Sequence, residues 1–405
     1  MRNNVFKLCL LNLLCGFVFW YPIEKLFLQQ IGAGPLGVSV NALVFLVTLI
    51  IFDVPSGVLA DKWKRKYTLL LALACFIAAC MLGGVSHTLI RYLPMNILLG
   101  GFVVLTSGTF QAMMYDSLRD CGLEKDYDKY QGRAYALFLG GLGLSSLAGG
   151  YFAQWWGMPA TYFITAAVMV AAVAVALTLI EPASHKQVTD RKLKEHIRFS
   201  AKQIFASKVL MQLALLATAA GVLRGTHNEY SGLLFIALGM TAIPMGYAGA
   251  AKWLVSSFGQ IIAPRLGRKA LKLAPLFFIS FLAFSLLQTP WTLVFYYLAG
   301  FLYSVLSNQA EAAIQDNTPS EIRATTLSLL SFTSNVILVP LGLAFGWIAQ
   351  HSNVFRAYLV VAVIGLGYLA SWLLVGRQQI RTTYQQKKHN HPQPPSIKEE
   401  LQTTL

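Results

Sequence analysis

The chain has 405 residues, 56% hydrophobic and 12% charged, with 32 Lys and Arg against 17 Asp and Glu, for a formal net charge of +15. Soluble domains carry about 25% charged residues, so half that density leaves too little polar surface for a water-soluble fold. The basic excess does not mark a nucleic-acid binder, because it recurs on alternate connections between apolar runs, as the positive-inside rule expects of a membrane protein.

Apolar runs of roughly 20 residues, long enough to cross a bilayer, recur along the whole sequence. About twelve are expected, near 8–28, 36–60, 68–87, 93–116, 133–155, 160–181, 209–230, 243–264, 270–289, 291–313, 325–349 and 355–376. With both termini in the cytoplasm, every Lys and Arg except Lys25, Arg91, Arg224, Lys252 and Arg356 falls on a cytoplasmic segment.

The first span follows Arg2 and Lys7. It is too long for a signal peptide and no small-residue cleavage site follows, so it reads as retained. Glu24 and Lys25 stand near its outer end and are expected to pair at the interface; they are also candidates for a substrate or proton pathway. "GAGPLG" (32–37) has the spacing of a dinucleotide loop but follows a membrane span instead of a strand, and reads as a connection. In "FDVPSGVLADKWKRKYTLL", from Phe52 to Leu70, Asp53, Gly57 and Asp61 share one helix face. Gly57 lets another helix approach closely. Asp61 can meet a base or the positive end of another helix, and Lys62, Lys64, Arg65 and Lys66 hold the turn in the cytoplasm.

The fourth span contains Asn96 and closes on "QAMMYD" with Asp116. The fifth carries Gly141, Ser145, Gly149 and Ala153, a small-residue stripe suited to close helix packing. The segment 181–208 is polar and basic; Leu193, Ile197 and Ile204 give it the pattern of a helix lying on the membrane surface. In the seventh span "LRGTHNEY" gathers Arg224, His227, Asn228 and Glu229. Lys252 falls near the middle of the eighth, where a charge costs about 2.5–3.5 kcal/mol on insertion scales. Asn308, Gln309 and Glu311 lie toward the inner end of the tenth. Trp20, Tyr21, Trp253, Tyr296, Tyr297 and Tyr303 read first as interfacial aromatics and second as stacking surfaces for a ligand. His389 and His391 belong to a polar, Pro-containing tail. Cys9, Cys15, Cys75, Cys80 and Cys121 have no zinc spacing and imply no disulfide.

The two halves of the sequence echo each other. "LADKWKRK" (59–66) has a partner in "APRLGRK" (263–269), "QAMMYD" (111–116) in "QAEAAIQD" (309–316), and "GRAYAL" (132–137) in "IRATTL" (322–327). The matches keep their order half a chain apart, which argues for an internal repeat of six-helix units, an arrangement found in transporters. The expected organisation is a six-helix bundle over 1–181, a cytoplasmic linker over 182–208, a second six-helix bundle over 209–376 and a disordered tail over 377–405.

With Gly57, Asp61, Lys62, Arg65 and Lys66, the turn after the second span resembles the Gly-x-x-x-Asp-(Arg/Lys)-x-Gly-(Arg/Lys)-(Arg/Lys) motif of the major facilitator superfamily. Lys64 stands where that motif has its second glycine. "DVPSGVLAD" and "YDSL" are most similar to bacterial drug-efflux members. The resemblance implies an all-α fold of about twelve transmembrane helices in two pseudo-symmetric six-helix bundles. It also implies a cytoplasmic gate in which Asp61 engages the eleventh helix and Arg65 pairs with Asp116, parting as the halves rock. Asp53 is expected beside that gate. Two family features are absent: Asn96 replaces an arginine linked to proton coupling, and Ser145-Ser146 replaces a Gly-Pro of antiporters.

The expected function is secondary transport by rocker-switch alternating access in the bacterial inner membrane, in the form of proton-coupled efflux of small amphipathic or drug-like molecules. The proton gradient is the expected driving force, with no cofactor or metal. The partners are the lipid bilayer and a small-molecule substrate, and the protein is expected to act as a monomer. Candidate pathway residues are Glu24, Arg224, His227, Glu229, Lys252, Asn308 and Glu311. Arg224 and Lys252 also suit an uptake permease for a small anionic or zwitterionic solute, and a membrane sensor built on a transporter fold is the alternative outside transport. An enzyme is not expected. The chain has no P-loop and no His-Glu-x-x-His, and Tyr115-Asp116 lacks the second acid motif of an intramembrane aspartyl protease.

Overall fold

The computed structural model describes residues 2–62, 64–182, 207–318 and 323–376, with the side chains of 53–62 outside the described set. The predicted surface helix of the linker and the tail histidines lie outside the described residues. The described residues form fifteen α-helices: α1 (Arg2–Gly16), α2 (Glu24–Gln30), α3 (Pro35–Lys62), α4 (Arg65–Gly84), α5 (Leu89–Thr106), α6 (Thr109–Arg119), α7 (Tyr127–Trp156), α8 (Met158–Leu177), α9 (Lys208–Glu229), α10 (Ser231–Ala237), α11 (Ala242–Leu266), α12 (Ala274–Leu286), α13 (Thr292–Asp316), α14 (Arg323–His351) and α15 (Val354–Gly376). The pairs α1/α2, α5/α6 and α9/α10 are broken halves of single spans, which gives twelve crossings. Eight stretches are long and apolar enough to cross a membrane by length and composition alone, and one of them, Ala242–Leu286, holds two of the crossings. The seventh, tenth and twelfth crossings fall outside those eight stretches; Arg224 and Glu229 interrupt the first of these, Asn308, Gln309 and Glu311 the second, and the third contributes only the shorter apolar stretch Val354–Ala370.

Helices dominate because lipid offers no partner to a backbone amide, so each span must satisfy its own hydrogen bonds. Where the first span unwinds, side chains substitute for the helix. Ser145 Oγ accepts from Val18 N–H at 3.1 Å, and Thr165 Oγ1 accepts from Phe19 N–H at 3.1 Å. Pro22 then opens a short 3₁₀ turn ahead of α2. The fourth span breaks at Gly108, whose φ of +77° suits glycine.

In the first half α1 packs on α7 and α8, α4 on α5 and α8, and α3 on α5. In the second half α9 packs on α13 and α14, α11 on α13, and α12 on α13 and α15. Two long seams join the halves, α7 against α11 and α3 against α14, and α2 also touches α10. Advancing each helix by six crossings converts one long seam into the other, so the interface carries the repeat read in the sequence. Leu144, Leu254, Ile261 and Val363 are exposed on the surface, where lipid would meet them.

We call the face bearing Arg2, Arg65 and Asp316 the near face, and the opposite one the far face. The seams are tight toward the far face. A Cβ on Gly150 would stand 2.6 Å from the Ala242 carbonyl oxygen, and one on Gly246 would stand 2.6 Å from that of Ser146. Only glycine permits this approach of backbones. Tyr151 and Tyr247 hydroxyls meet across the same seam at 2.7 Å, and Gln350 at the end of α14 accepts from Leu36 N–H at the start of α3.

Candidate functional site

Two adjoining cavities lie between the halves and share Asn228. The larger, about 540 Å³ of space counted with its open mouth, is lined among others by Tyr135, Arg224, Trp253, Gln260, Phe277 and Tyr303. The smaller, about 390 Å³ counted with its open mouth and nearer the far face, is lined by Tyr21, Glu24, Lys25, Glu229, Ser231 and Lys252, with others. The last turn of α9, ahead of the break at Tyr230, supplies residues to both: Asn228 lines the two and Glu229 the smaller.

Arg224 is exposed to the larger cavity. Its Nη1 donates to the Tyr303 hydroxyl at 3.4 Å and its guanidinium lies 4.9 Å from the centre of that ring, a cation–π contact. Among the described residues no carboxylate comes within ion-pair distance of it. His227, expected on nearly the same face, turns away from this role. Its ring stacks on Tyr296 with centroids 3.9 Å apart, and Nε2 lies 3.0 Å from the Tyr296 carbonyl oxygen. A carbonyl can only accept, so Nε2 carries the hydrogen. The stack and this bond fix His227 as a strut between α9 and α13.

Glu24 and Lys25 form the expected pair, with Nζ 2.8 Å from Glu24 Oε2, and the pair extends further than the sequence indicates. The same Nζ lies 2.6 Å from Glu229 Oε1, on the opposite half. Glu24 Oε1 also accepts from Asn41 Nδ2 at 3.2 Å and from the Tyr92 hydroxyl at 3.4 Å. Tyr92 is bonded to Tyr162 at 2.8 Å, and Asn96 donates to Asn41. A buried polar network thus joins five spans. Asn41, Tyr92 and Tyr162 were missed by sequence reasoning; the signal for Asn41 was an amide inside "VSVNALVFL", while the tyrosines look like ordinary apolar-span residues.

Lys252 is 3% exposed. Its Nζ is 3.4 Å from Ser231 Oγ and stands 5.2 Å from the Tyr21 ring centre and 4.9 Å from that of Trp253. Asn308 and Gln309 tie α13 to α11: Asn308 Nδ2 donates to Gln260 Oε1 at 3.4 Å, and Gln309 Nε2 to the Ala263 carbonyl at 2.9 Å. Glu311 is exposed toward the near face and is not in an ion pair with any described residue. The stripe on α7 packs as expected. Gly141 abuts the backbone of Leu13 and Gly16, and Gly149 that of Phe19.

At the near face Arg65 forms an ion pair with Asp116, joining α4 to α6. Glu181 accepts from the backbone N–H groups of Arg65 at 2.9 Å and Lys66 at 3.0 Å, capping α4, and Lys66 Nζ donates to the Leu177 carbonyl at 2.6 Å. Sequence reasoning placed Glu181 at the edge of the linker and missed this cap. Both members of the Arg65–Asp116 pair belong to one half. It stands in this arrangement, with the far face closed. The other gate candidates, Asp53, Gly57, Asp61 and Lys62, lie on α3 with side chains outside the described residues. The second half repeats the pair: Arg268 Nη2 lies 2.5 Å from Asp316 Oδ2, and Nη1 lies 2.5 Å from the Gln309 carbonyl oxygen.

Residues 8–342 match the family model described as Major Facilitator Superfamily. The chain belongs to that superfamily. Among curated members, it is 24% identical over 396 residues to the multidrug resistance protein MdtG of Citrobacter koseri, covering 90% of this chain and 92% of the relative. It is 26% identical over 279 residues to MdtG of Klebsiella pneumoniae, covering 64% and 63%. The fold is shared with solved superfamily transporters. The nucleoside transporter NupG superposes with a TM-score of 0.75 at 14% identity, over 93% of this chain and 100% of that one. A D-xylose–proton symporter gives 0.69 at 14% identity, over 92% and 97%. The protein is therefore a membrane-spanning transporter, and its family members are not enzymes.

Proposed function

We propose that the protein exports small amphipathic molecules by alternating access, driven by the proton gradient across the bacterial inner membrane. In this reading both termini are cytoplasmic, the near face is the cytoplasmic face and the far face is periplasmic. The observation that carries it is the interior cavity walled by Tyr135, Trp253, Phe277 and Tyr303, lying between two halves that meet at the far face. Flat apolar rings in a chamber with a few polar groups suit ligands with an apolar body and a polar end. Kinship with the MdtG proteins supports export of drug-like compounds.

A second reading, uptake of a small anionic or zwitterionic solute, is favoured by one specific feature: Arg224 faces the cavity on an aromatic ring and has no carboxylate partner among the described residues. One assay separates the readings. The protein is reconstituted in liposomes, a pH gradient is imposed, and flux of cationic dyes, neutral drugs and organic anions is followed, with Arg224→Gln beside the wild type. Proton-driven flux of dyes and drugs that survives Arg224→Gln supports the first. Flux confined to anions and lost in the variant supports the second. No flux of any class from well-folded protein would overturn both and favour the sensor.

A further inference from the structure

Four charged side chains line the smaller cavity. Glu24 and Lys25 sit on α2 in the first half; Glu229 and Lys252 sit on α9 and α11 in the second. Their charges sum to zero, yet the pairing is uneven. Lys25 holds both acids, at 2.8 and 2.6 Å. Lys252 holds neither. It is buried against Tyr21 and Trp253, and among the described residues its one hydrogen-bond partner is Ser231, two residues beyond Glu229 at the same helix break. Sorted by half instead of by contact, each half contains one acid and one base.

Resting on the alternating-access reading above, we propose that the far face opens by an exchange of ion pairs: as α2 withdraws from α10, Glu229 passes from Lys25 to Lys252, while Lys25 remains with Glu24. The movement that takes Lys25 from Glu229 also takes the Tyr21 ring from Lys252, because both Lys25 and Tyr21 belong to the first half. In the second half Glu229 thus loses its ion-pair partner and Lys252 one of its two aromatic faces, keeping Ser231 and Trp253, on walls of one cavity. Their pairing leaves no lone charge within the membrane, where such a charge is costly. In the closed arrangement the three-member cluster bridges the halves; in the open one each half is neutral by itself. Lys252 is then a positioning residue for the gate.

The test measures the gate without substrate. Gln30 and Ala237, exposed at the far ends of α2 and α10, are changed to Cys in protein whose five native cysteines are replaced, and spin labels report their separation in lipid nanodiscs. Two distance populations are expected. Lys252→Met lowers the open-to-closed ratio at least about tenfold, because the open state loses its replacement partner, and Lys252→Arg restores the ratio. Reversing only the bridging pair, with Lys25→Glu and Glu229→Lys, keeps a closed-state attraction but places two acids in one half and two bases in the other, and holds the gate closed. Adding Glu24→Lys and Lys252→Glu reverses all four charges and brings the open population back. Wild-type populations in Lys252→Met would overturn the exchange, and that single substitution decides the matter should the multiple variants fail to fold. A single distance in the wild type at every pH and lipid composition would overturn alternating access itself, and the exchange with it.

Discussion

Lys25 of the first half and Glu229 of the second meet at 2.6 Å beside the far face, and the same ammonium group lies 2.8 Å from Glu24. The three members are not equivalent. The side chains of Lys25 and Glu24 are 9% and 8% exposed, whereas that of Glu229 is 34% exposed. Removing the shared cation strands two carboxylates, one of them deeply buried. Lys25→Met should therefore destabilise the protein by about 3–5 kcal/mol, the usual cost of breaking a buried pair. Glu229→Gln leaves Lys25 with Glu24 and removes a partly exposed partner, so its cost should stay near 1 kcal/mol. Thermal unfolding in detergent compares them. Equal losses would mean that Lys25 does not serve both acids.

The two near-face ion pairs offer a second comparison. Arg65–Asp116 and Arg268–Asp316 occupy matching places in the two halves. The first is 16% and 10% exposed by side chain, the second 33% and 62%. Low exposure raises the worth of an ion pair because water screens it less. Asp116→Asn should depress transport roughly tenfold or more while the protein still inserts in the membrane, and Asp316→Asn should act less, by about twofold to threefold. Flux per inserted molecule measures both. A larger effect from Asp316→Asn would show that burial does not rank these contacts.

How much of this was legible in the sequence depends on how local the signal is. The spans were legible because lipid imposes length and apolarity on each one separately. The Arg65–Asp116 pair was reached through the family motif, and the second pair was implicit in "GRK" and "QAEAAIQD". The network around Glu24 was not legible, since Asn41, Tyr92 and Tyr162 come from three other spans and become neighbours only when helices pack. The fate of His227 was also hidden. Its spacing from Arg224 placed both near one face, but a stacking partner 69 residues away claims the imidazole.

That stack makes a prediction of its own. His227 presents its flat ring to Tyr296 and one N–H to a carbonyl, and neither contact requires a proton to be gained or lost. His227→Phe keeps the stack and gives up one hydrogen bond, at a cost of about 1 kcal/mol. His227→Ala also opens a cavity and should cost about 2–4 kcal/mol. The pH profile of flux through His227→Phe should overlay that of the wild type across neutral pH. A displaced profile would assign His227 to the proton path.

The glycines of the seam between α7 and α11 provide the sharpest mechanical test. At Gly150 and Gly246 an added methyl would stand 2.6 Å from a backbone oxygen of the opposite half. A backbone atom in a packed helix cannot step aside as a side-chain tip can, so the halves must separate there. Gly150→Ala and Gly246→Ala should both weaken the far-face closure, although alanine favours a helix by about 1 kcal/mol over glycine. Gly143, on the same helix, has nothing within 4 Å of its would-be methyl. Gly143→Ala should leave the closure intact and gain slightly in stability. A cysteine placed at the far end of α14, at Gln350, reports the difference through its reaction with a membrane-impermeant maleimide. Faster labelling is expected in the two seam variants and an unchanged rate in Gly143→Ala. If all three react alike, the close approach of α7 and α11 is not what holds the far face shut.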